Sequence, residues 1–329
     1  MQSALNIQSY LKDRTKPMFD GNLRTTHTLE AIAERQQELS ARVARLAPVD
    51  GVHQAAFPSL SLIRTSVPTM CMPTVYQPSL GIVVQGRKRA LLNDEVFYYD
   101  ALNYLVVSVT LPVMGQVLDA SAERPFLALR LNLDLEEIGR LLLELGDRGA
   151  APAAADRGLF VARMEEPLLD AILRMVKLLD SPEDLAVLAP VVQREIYYRV
   201  LRGELGQRLV DLAEGDGSNR RIVRAIEWLK QRYAAPLRIE ELAETLHMSA
   251  SALHHRFKAV TAMSPLQFQK HLRLHEARRM MFADGIECAT AAHRVGYESP
   301  SQFSREYRRL FGAPPRIEIA RLRESGVEA

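Results

Sequence analysis

The chain has 329 residues, 47% hydrophobic and 25% charged, with a formal net charge of +2. That balance belongs to ordinary globular proteins with room for two or three cores, and it excludes a chain dominated by disorder. Cys71 and Cys288 give no disulfide framework, the polar start lacks an apolar signal core, and no apolar run reaches the ~18 residues of a bilayer span, so the expected compartment is the cytoplasm without membrane attachment.

Residues 27–47 have a helical period, with Leu29, Ile32, Leu39, Val43 and Leu46 near one face. Strands are expected from about Ser61: Leu80–Val84, Lys88–Leu92, Val96–Tyr99, Tyr104–Thr110, Val113–Leu118 and Phe126–Leu133, with a polar turn at Asn93-Asp94. Short strands at this spacing predict a small antiparallel barrel or sandwich. Asp134 is placed to cap a helix carrying Leu135, Ile138, Leu142 and Leu145 on one stripe. Residues 146–158 read as a flexible surface loop, and 166–213 as helix broken near Pro182 and Pro190. A polar linker ends at Asn219, and a basic segment begins at Arg220.

Charge divides at that linker. Residues 219–329 hold 19 Lys+Arg against 12 Asp+Glu and six of the eight histidines, while the preceding 218 are net acidic. A basic third on an acidic body is the footprint of nucleic-acid binding confined to one domain. Within that third the sequence repeats at a 50-residue offset. Met248–Pro265 (MSASALHHRFKAVTAMSP) aligns without a gap to Glu298–Pro315 (ESPSQFSREYRRLFGAPP). Helices are expected over Arg220–Tyr233, with the single tryptophan Trp228, and over Ile239–Leu246; Ser249 and Ser299 would cap the repeated helices. Leu253, Phe257 and Val260 in one copy, and Phe303, Tyr307 and Leu310 in the other, recur at core spacing. Ser251, His254, His255 and Lys258, and then Ser301, Gln302, Ser304, Arg305, Arg308 and Arg309, fall on the outer sides. Packing would reproduce the inner residues, but it gives no reason for both outer faces to be polar and cationic. Short polar residues near a helix start suit base edges, and cations further along suit phosphates. Ser264-Pro265 begins a long helix ending near Phe282, about 27 Å at 1.5 Å per residue. That reach is compatible with two recognition helices about one DNA turn apart.

The segment from His247 to Met281, followed by AAHRVGYESPSQFSREYRRLFGAPP, resembles the DNA-binding domain of AraC-type transcriptional regulators. The resemblance implies recognition helices at 249–261 and 299–311, with base contacts from Ser251, His254, His255, Ser301, Gln302 and Arg305. Ala262 departs from the glycine usual at the end of the first recognition helix, and Ala289 and Ala292 stand where larger aliphatics are common. Tyr76–Asp134 resembles the N-terminal sensor domain of one AraC-type subgroup, which implies a cupin-like barrel followed by helices that pair two subunits.

The expected fold class is therefore α+β: an N-terminal cupin-like antiparallel β-barrel with flanking helices, then an all-α domain of two helix-turn-helix units joined by a long helix. The expected divisions are residues 1–55 as tail and helix, 56–213 as sensing and dimerisation domain, 214–219 as linker and 220–329 as DNA-binding domain. No histidine lies between Gln54 and Leu246, so a metal-dependent cupin enzyme is not expected, and neither a catalytic residue, a metal nor a cofactor is assigned. His254 and His255 diverge by about 100° on a helix and cannot chelate together, and His271 and His275 lack a third ligand. Candidate effector-lining residues are Cys71, Met72, Tyr76, Tyr99, Tyr104 and Met114, each weighed against an ordinary place in the core. Cys71 is also weighed as a thiol open to electrophiles, and Arg87, Lys88 and Arg89 read as solvated hairpin surface. The leading function is a sequence-specific, ligand-responsive transcriptional activator, partnered by promoter direct-repeat DNA, RNA polymerase, a small-molecule effector and a second copy of the chain. The alternatives are a ligand-independent repressor or architectural DNA-binding protein, and an enzyme fused to a DNA-binding module.

Overall fold

A computed structural model describes residues 22–145, 157–203, 206 and 218–325. Helix α1 (Asn22–Leu46) leads into ten strands: β1 (Gly51–Gln54), β2 (Leu60–Thr65), β3 (Met72–Tyr76), β4 (Ser79–Gln85), β5 (Arg87–Leu92), β6 (Glu95–Asp100), β7 (Asn103–Val107), β8 (Leu111–Asp119), β9 (Phe126–Asn132) and β10 (Leu159–Arg163). Helix α2 (Leu135–Leu145) precedes β10, and α3 (Glu166–Leu178) and α4 (Pro182–Arg202) follow it.

All strand pairs are antiparallel and form two sheets, β1-β2-β9-β4-β7-β10 and β3-β8-β5-β6. They face each other as an open sandwich rather than the closed barrel expected from sequence. The chain switches sheets between β4 and β5 at Gly86, whose φ of 86° and close approach to the Asp119 carbonyl leave no room for a Cβ. Val83, Leu92, Leu105, Val113, Val117 and Phe126 fill the space between the sheets.

Residues one step out of phase point the other way. Leu62, Leu80, Ile82, Tyr104, Val106 and Leu129 turn to the outer face of the six-stranded sheet, which α1 to α4 cover. Strand β7 is thus buried on both faces, which is why it reads as an unbroken apolar run. Leu39 and Val43 of α1 are fully buried in this layer, and Gln36 donates to the Val84 carbonyl at 2.8 Å. Asp134 caps α2 through bonds from the Glu136 and Glu137 amides, as its sequence position predicts.

Strands β1, β3 and β10 were not expected from the sequence. Pro73 removes a backbone donor from β3, but β3 lies at a sheet edge, where a missing donor costs little. Pro190 does not break the second helical stretch. It sits inside α4, where Leu185, Ala189, Val192, Ile196 and Val200 bury one continuous stripe across it. Most of the expected 146–158 loop, and the linker up to residue 217, lie outside the described residues. Arg157 and Gly158 do not form a free surface loop: they dock on the C-terminal helices.

Those helices are α5 (Ser218–Gln231), α6 (Ile239–Thr245), α7 (Ala250–Thr261), α8 (Pro265–Phe282), α9 (Cys288–Arg294), α10 (Pro300–Phe311) and α11 (Pro315–Ser325). None of the described helices is long and apolar enough to cross a membrane.

Candidate nucleic-acid interface

Helices α6 and α7 make one helix-turn-helix unit, and α9 and α10 make the other. Both turns are built alike: Leu246 bonds back to Leu242 as Val295 does to Ala291, and Met248 bonds to Ala243 as Tyr297 does to Ala292. The correspondence there runs at an offset of 49, while α7 and α10 correspond at 50. The second unit therefore holds one more residue before its cap. The left-handed turn position is His247 (φ 52°) in the first unit and Gly296 (φ 87°) in the second. A Cβ at Gly296 would fall 2.0 Å from the Ala234 carbonyl oxygen, so glycine is required there by the close approach of the turn after α5.

The caps predicted from sequence are present. Ser249 accepts from the Ala252 amide at 3.2 Å and Ser299 from the Gln302 amide at 3.3 Å. Helix α8 begins with a reciprocal capping box between Ser264 and Gln267. Leu253, Phe257 and Val260 are fully buried, as are Phe303 and Tyr307, each such side chain contributing about 1.5–3 kcal/mol by leaving water. Ala262 adopts the left-handed conformation at φ 60°, where Gly312 stands at φ 80° in the second unit.

With the apolar stripes turned in, Ser249, Ser251, His254, His255 and Lys258 are exposed on α7. So are Ser299, Ser301, Gln302, Arg305, Arg308 and Arg309 at and along α10, while Ser304 is half-buried. Gln302 is not free to rotate. Its amide donates to Glu306 at 3.1 Å, and Glu306 also accepts from the Tyr297 hydroxyl at 2.8 Å and from Lys270 at 3.0 Å. Burial pushes the Glu306 carboxyl up, but these three bonds outweigh it and hold its pKa below the ordinary value. Sequence reasoning missed this support, although the i, i+4 spacing of Gln302 and Glu306 was visible.

Arg273, on the linking helix α8, was missed as well. Its guanidinium donates to the carbonyls of Tyr233 (2.6 Å), Ala235 (2.9 Å), Gly296 (3.0 Å) and Ala234 (3.2 Å). Gln269 adds a bond to Ala235 at 2.8 Å. One cation thereby ties the turn after α5 to the turn of the second unit. Near the other end of α8, buried Arg278 pairs with Glu318 at 2.8 Å, and Glu318 accepts from the Tyr307 hydroxyl at 2.7 Å. Among the described residues no group of three or more His, Cys, Asp or Glu could hold a metal ion. His271 and His275 pack into the domain, and His275 meets Phe311 edge-on with ring centroids 5.3 Å apart.

The β-sandwich touches these helices from behind. Arg157 pairs with Glu95 at 2.5 Å and donates to the carbonyls of Lys258 (3.1 Å) and Ala259 (2.5 Å). The Gly158 amide donates to the Val260 carbonyl at 2.9 Å. A cation and an amide thus satisfy the orphan carbonyls of Ala259 and Val260 at the C-terminal end of α7, where the helix dipole favours positive charge. Val109, Leu111 and Leu159 share one apolar cluster with Phe257 and Val260.

The six candidate effector residues do not converge. Tyr76 and Tyr99 meet between the sheets. Burial raises the Tyr99 pKa well above its usual value, with Tyr76 adding to the effect, and the Tyr76 hydroxyl is buried without a hydrogen-bond partner. Lys88, expected on the surface, places its ammonium 5.4 Å from the Tyr76 ring centre. Tyr104 lies on the opposite face of the six-stranded sheet. Met72 packs toward the second helix-turn-helix unit. Cys71 and Met114 are half-buried.

Residues 56–208 match the family model for the AraC-type transcriptional regulator N-terminus, and residues 242–317 match a helix-turn-helix domain. The HTH-type transcriptional activator RhaS of Pectobacterium atrosepticum is 33% identical over 104 residues, 31% of this chain and 37% of the relative. RhaS of Escherichia fergusonii is 28% identical over 167 residues, 50% of this chain and 59% of the relative. The chain thus spans well under two thirds of the length of these relatives. Among solved structures, ToxT from Vibrio cholerae superposes with a TM-score of 0.55 at 11% identity, covering 79% of this chain and 97% of that one. ToxT bound to (E)-4-(8-methylnaphthalen-1-yl)but-3-enoic acid gives 0.54 at 10% identity, over 80% and 98% of the two chains. These likenesses establish a shared fold. With both halves matched and the paired helix-turn-helix units in place, the chain belongs to the AraC-type transcriptional regulators.

Proposed function

We propose that this chain is a sequence-specific transcriptional regulator, an activator, whose engagement of DNA is controlled by a small molecule bound in its N-terminal domain. In this reading residues 56–213 sense and pair, 214–219 connect, and 220–329 bind DNA. The observation that carries it is two serine-capped helices in one chain, each with its polar and cationic side uncovered, with Arg273 tying the second unit to the turn after α5. Exposed short polar groups at the helix starts read base edges, and Lys258, Arg308 and Arg309 take phosphates. The RhaS relatives are named as activators, which supports the direction of regulation and a contact with RNA polymerase. A cytoplasmic site of action and an absence of catalysis belong to the same reading.

The route from sensor to DNA is the contact behind α7. A ligand that shifts the sandwich shifts Arg157 and Gly158, and with them the C-terminal end of a recognition helix. Control is then a population shift between docked and released arrangements. Dimerisation uses the exposed apolar side chains Leu143 on α2 and Val187 and Val191 on α4. Helix α3 is not available for this, since seven of its residues are buried within the fold. ToxT, a protein of the same fold, is bound to (E)-4-(8-methylnaphthalen-1-yl)but-3-enoic acid, which supports a small-molecule ligand for this chain.

The test is binding to duplexes selected from a random pool, in competition with random-sequence DNA at physiological salt. Specific binding with a log–log salt slope near −7, as about eight neutralised phosphates require, supports the proposal. Equal binding to selected and random duplexes defeats it.

A further inference from the structure

A polar cavity lies on the helix-covered side of the six-stranded sheet. It has a volume of about 70 Å³ and is lined by Tyr104, Arg163, Glu165, Arg199, Arg202 and Gly203, with Pro167 and Leu168 of the first turn of α3. Three guanidiniums face one carboxylate. Arg199 reaches Glu195 at 3.2 Å, yet its Nε is shut off from solvent with no hydrogen-bond acceptor. Arg163 and Arg202 form no ion pair with any carboxylate among the described residues, and both are exposed. The wall of α3 is its N-terminal turn, where Glu165 makes no side-chain cap and Glu166 is the acidic residue that meets the helix dipole.

Arg199 keeps Glu195, but Arg163 and Arg202 gain no ion pair among the described residues, and the three gather like charge at one cavity. A buried guanidinium nitrogen without an acceptor costs about 1–3 kcal/mol. Both costs vanish when an anion with several acceptor oxygens enters, because guanidinium forks bind carboxylate and phosphate groups in a bidentate way. A water needs about 10–15 Å³ of such space, so the cavity holds a few waters and is large enough for an oxyanion group.

We propose that this cavity binds the oxyanion end of a small ligand, a carboxylate or phosphate group, through Arg163, Arg199 and Arg202, with the rest of the ligand lying outside. The site closes over the last turn of α4 and its C-cap Gly203, from which the chain runs toward α5 and the DNA-binding helices. Occupancy therefore fixes the start of that connection. This regulatory consequence, though not the binding, rests on the function proposed above.

The experiment uses the full chain, with inorganic phosphate and succinate as probes against potassium chloride at matched ionic strength. Calorimetric titration and thermal shift are read on the wild type and on the double variant Arg163→Gln/Arg202→Gln, whose side chains hold no partner that folding needs. At least one probe should bind the wild type saturably, and the variant should bind it about ten- to hundredfold more weakly, as loss of charged hydrogen bonds implies. Response to phosphate alone assigns a phosphate ester, and response to succinate alone assigns an acid; either supports the site. No saturable binding by either probe, or equal binding by wild type and variant, overturns it. Binding of selected duplex DNA is measured on the same samples. Intact DNA recognition without anion binding refutes only this site, whereas anion binding without DNA recognition refutes only the regulator.

Discussion

Replacing Arg273 with methionine keeps the aliphatic stem and removes the guanidinium that ties the turn after α5 to the second helix-turn-helix unit. Four carbonyl bonds are lost. A hydrogen bond to a charged group contributes about 1.5–3 kcal/mol net, but the four share one guanidinium whose desolvation is relieved by the change. Burial already lowers the Arg273 pKa, and some freed carbonyls can reach water. The expected loss is about 3–4 kcal/mol, the range for breaking a buried polar network. The sharper consequence is geometric. One base pair added between half-sites turns the second major groove by about 35° and shifts it by about 3.4 Å. With the units locked, adding two base pairs should cost the wild type about 3 kcal/mol of binding. The variant, its units free to re-aim, should bind the optimal duplex less tightly and lose most of that discrimination. Fluorescence anisotropy over a spacer series, with circular dichroism to confirm the fold, measures both. A folded Arg273→Met protein with the wild-type spacing profile would refute the clamp.

Other substitutions test separate steps. Arg305→Ala should weaken specific binding by about 1–3 kcal/mol and relax preference at one base position; uniform weakening over all sequences would place Arg305 on phosphate. Ala262→Gly should raise stability by about 1 kcal/mol, because the residue sits at φ 60°, and an unchanged or lower denaturation midpoint would contradict that. His275 has its pKa lowered from 6.5 to about 3, chiefly by burial, with His271 and Arg278 adding to it. The unfolded chain binds that proton more readily, so the contribution to stability is complete above pH 6.5 and falls as pH drops toward 3. Between pH 7 and pH 5 about 2 kcal/mol should be lost. His275→Leu should flatten that part of the urea-denaturation profile, and an unaltered slope would show that His275 is not its source.

Much of the DNA-reading half was legible because its signals are local. Serine caps, a proline after Ser264 and apolar residues at helical spacing act within one turn, so Ser249, Ser264, Phe257 and Tyr307 could be assigned without tertiary knowledge. What escaped depends on contacts distant in sequence. Arg273 looked like one more cation on a basic helix, since nothing near it shows that residues 233–235 and 296 converge on it. Lys88 read as surface because its register partner Tyr99 is set by strand pairing. Strand β10 exists only where β7 supplies its hydrogen bonds. Tyr104 and Tyr99 were grouped by residue type, but β7 and β6 send them to different faces. The extra residue in the second turn was hidden because the aligned copies begin just after the point where the offset changes.

The central claim is that one chain reads two neighbouring stretches of major groove. Methylation interference at guanine N7 on a selected duplex addresses it directly. Two clusters of sensitive guanines about 10 base pairs apart on one face of the helix, with one guanine of a cluster made insensitive by Arg305→Ala, are the result expected. A single cluster, or binding indifferent to methylation throughout the site, would contradict it.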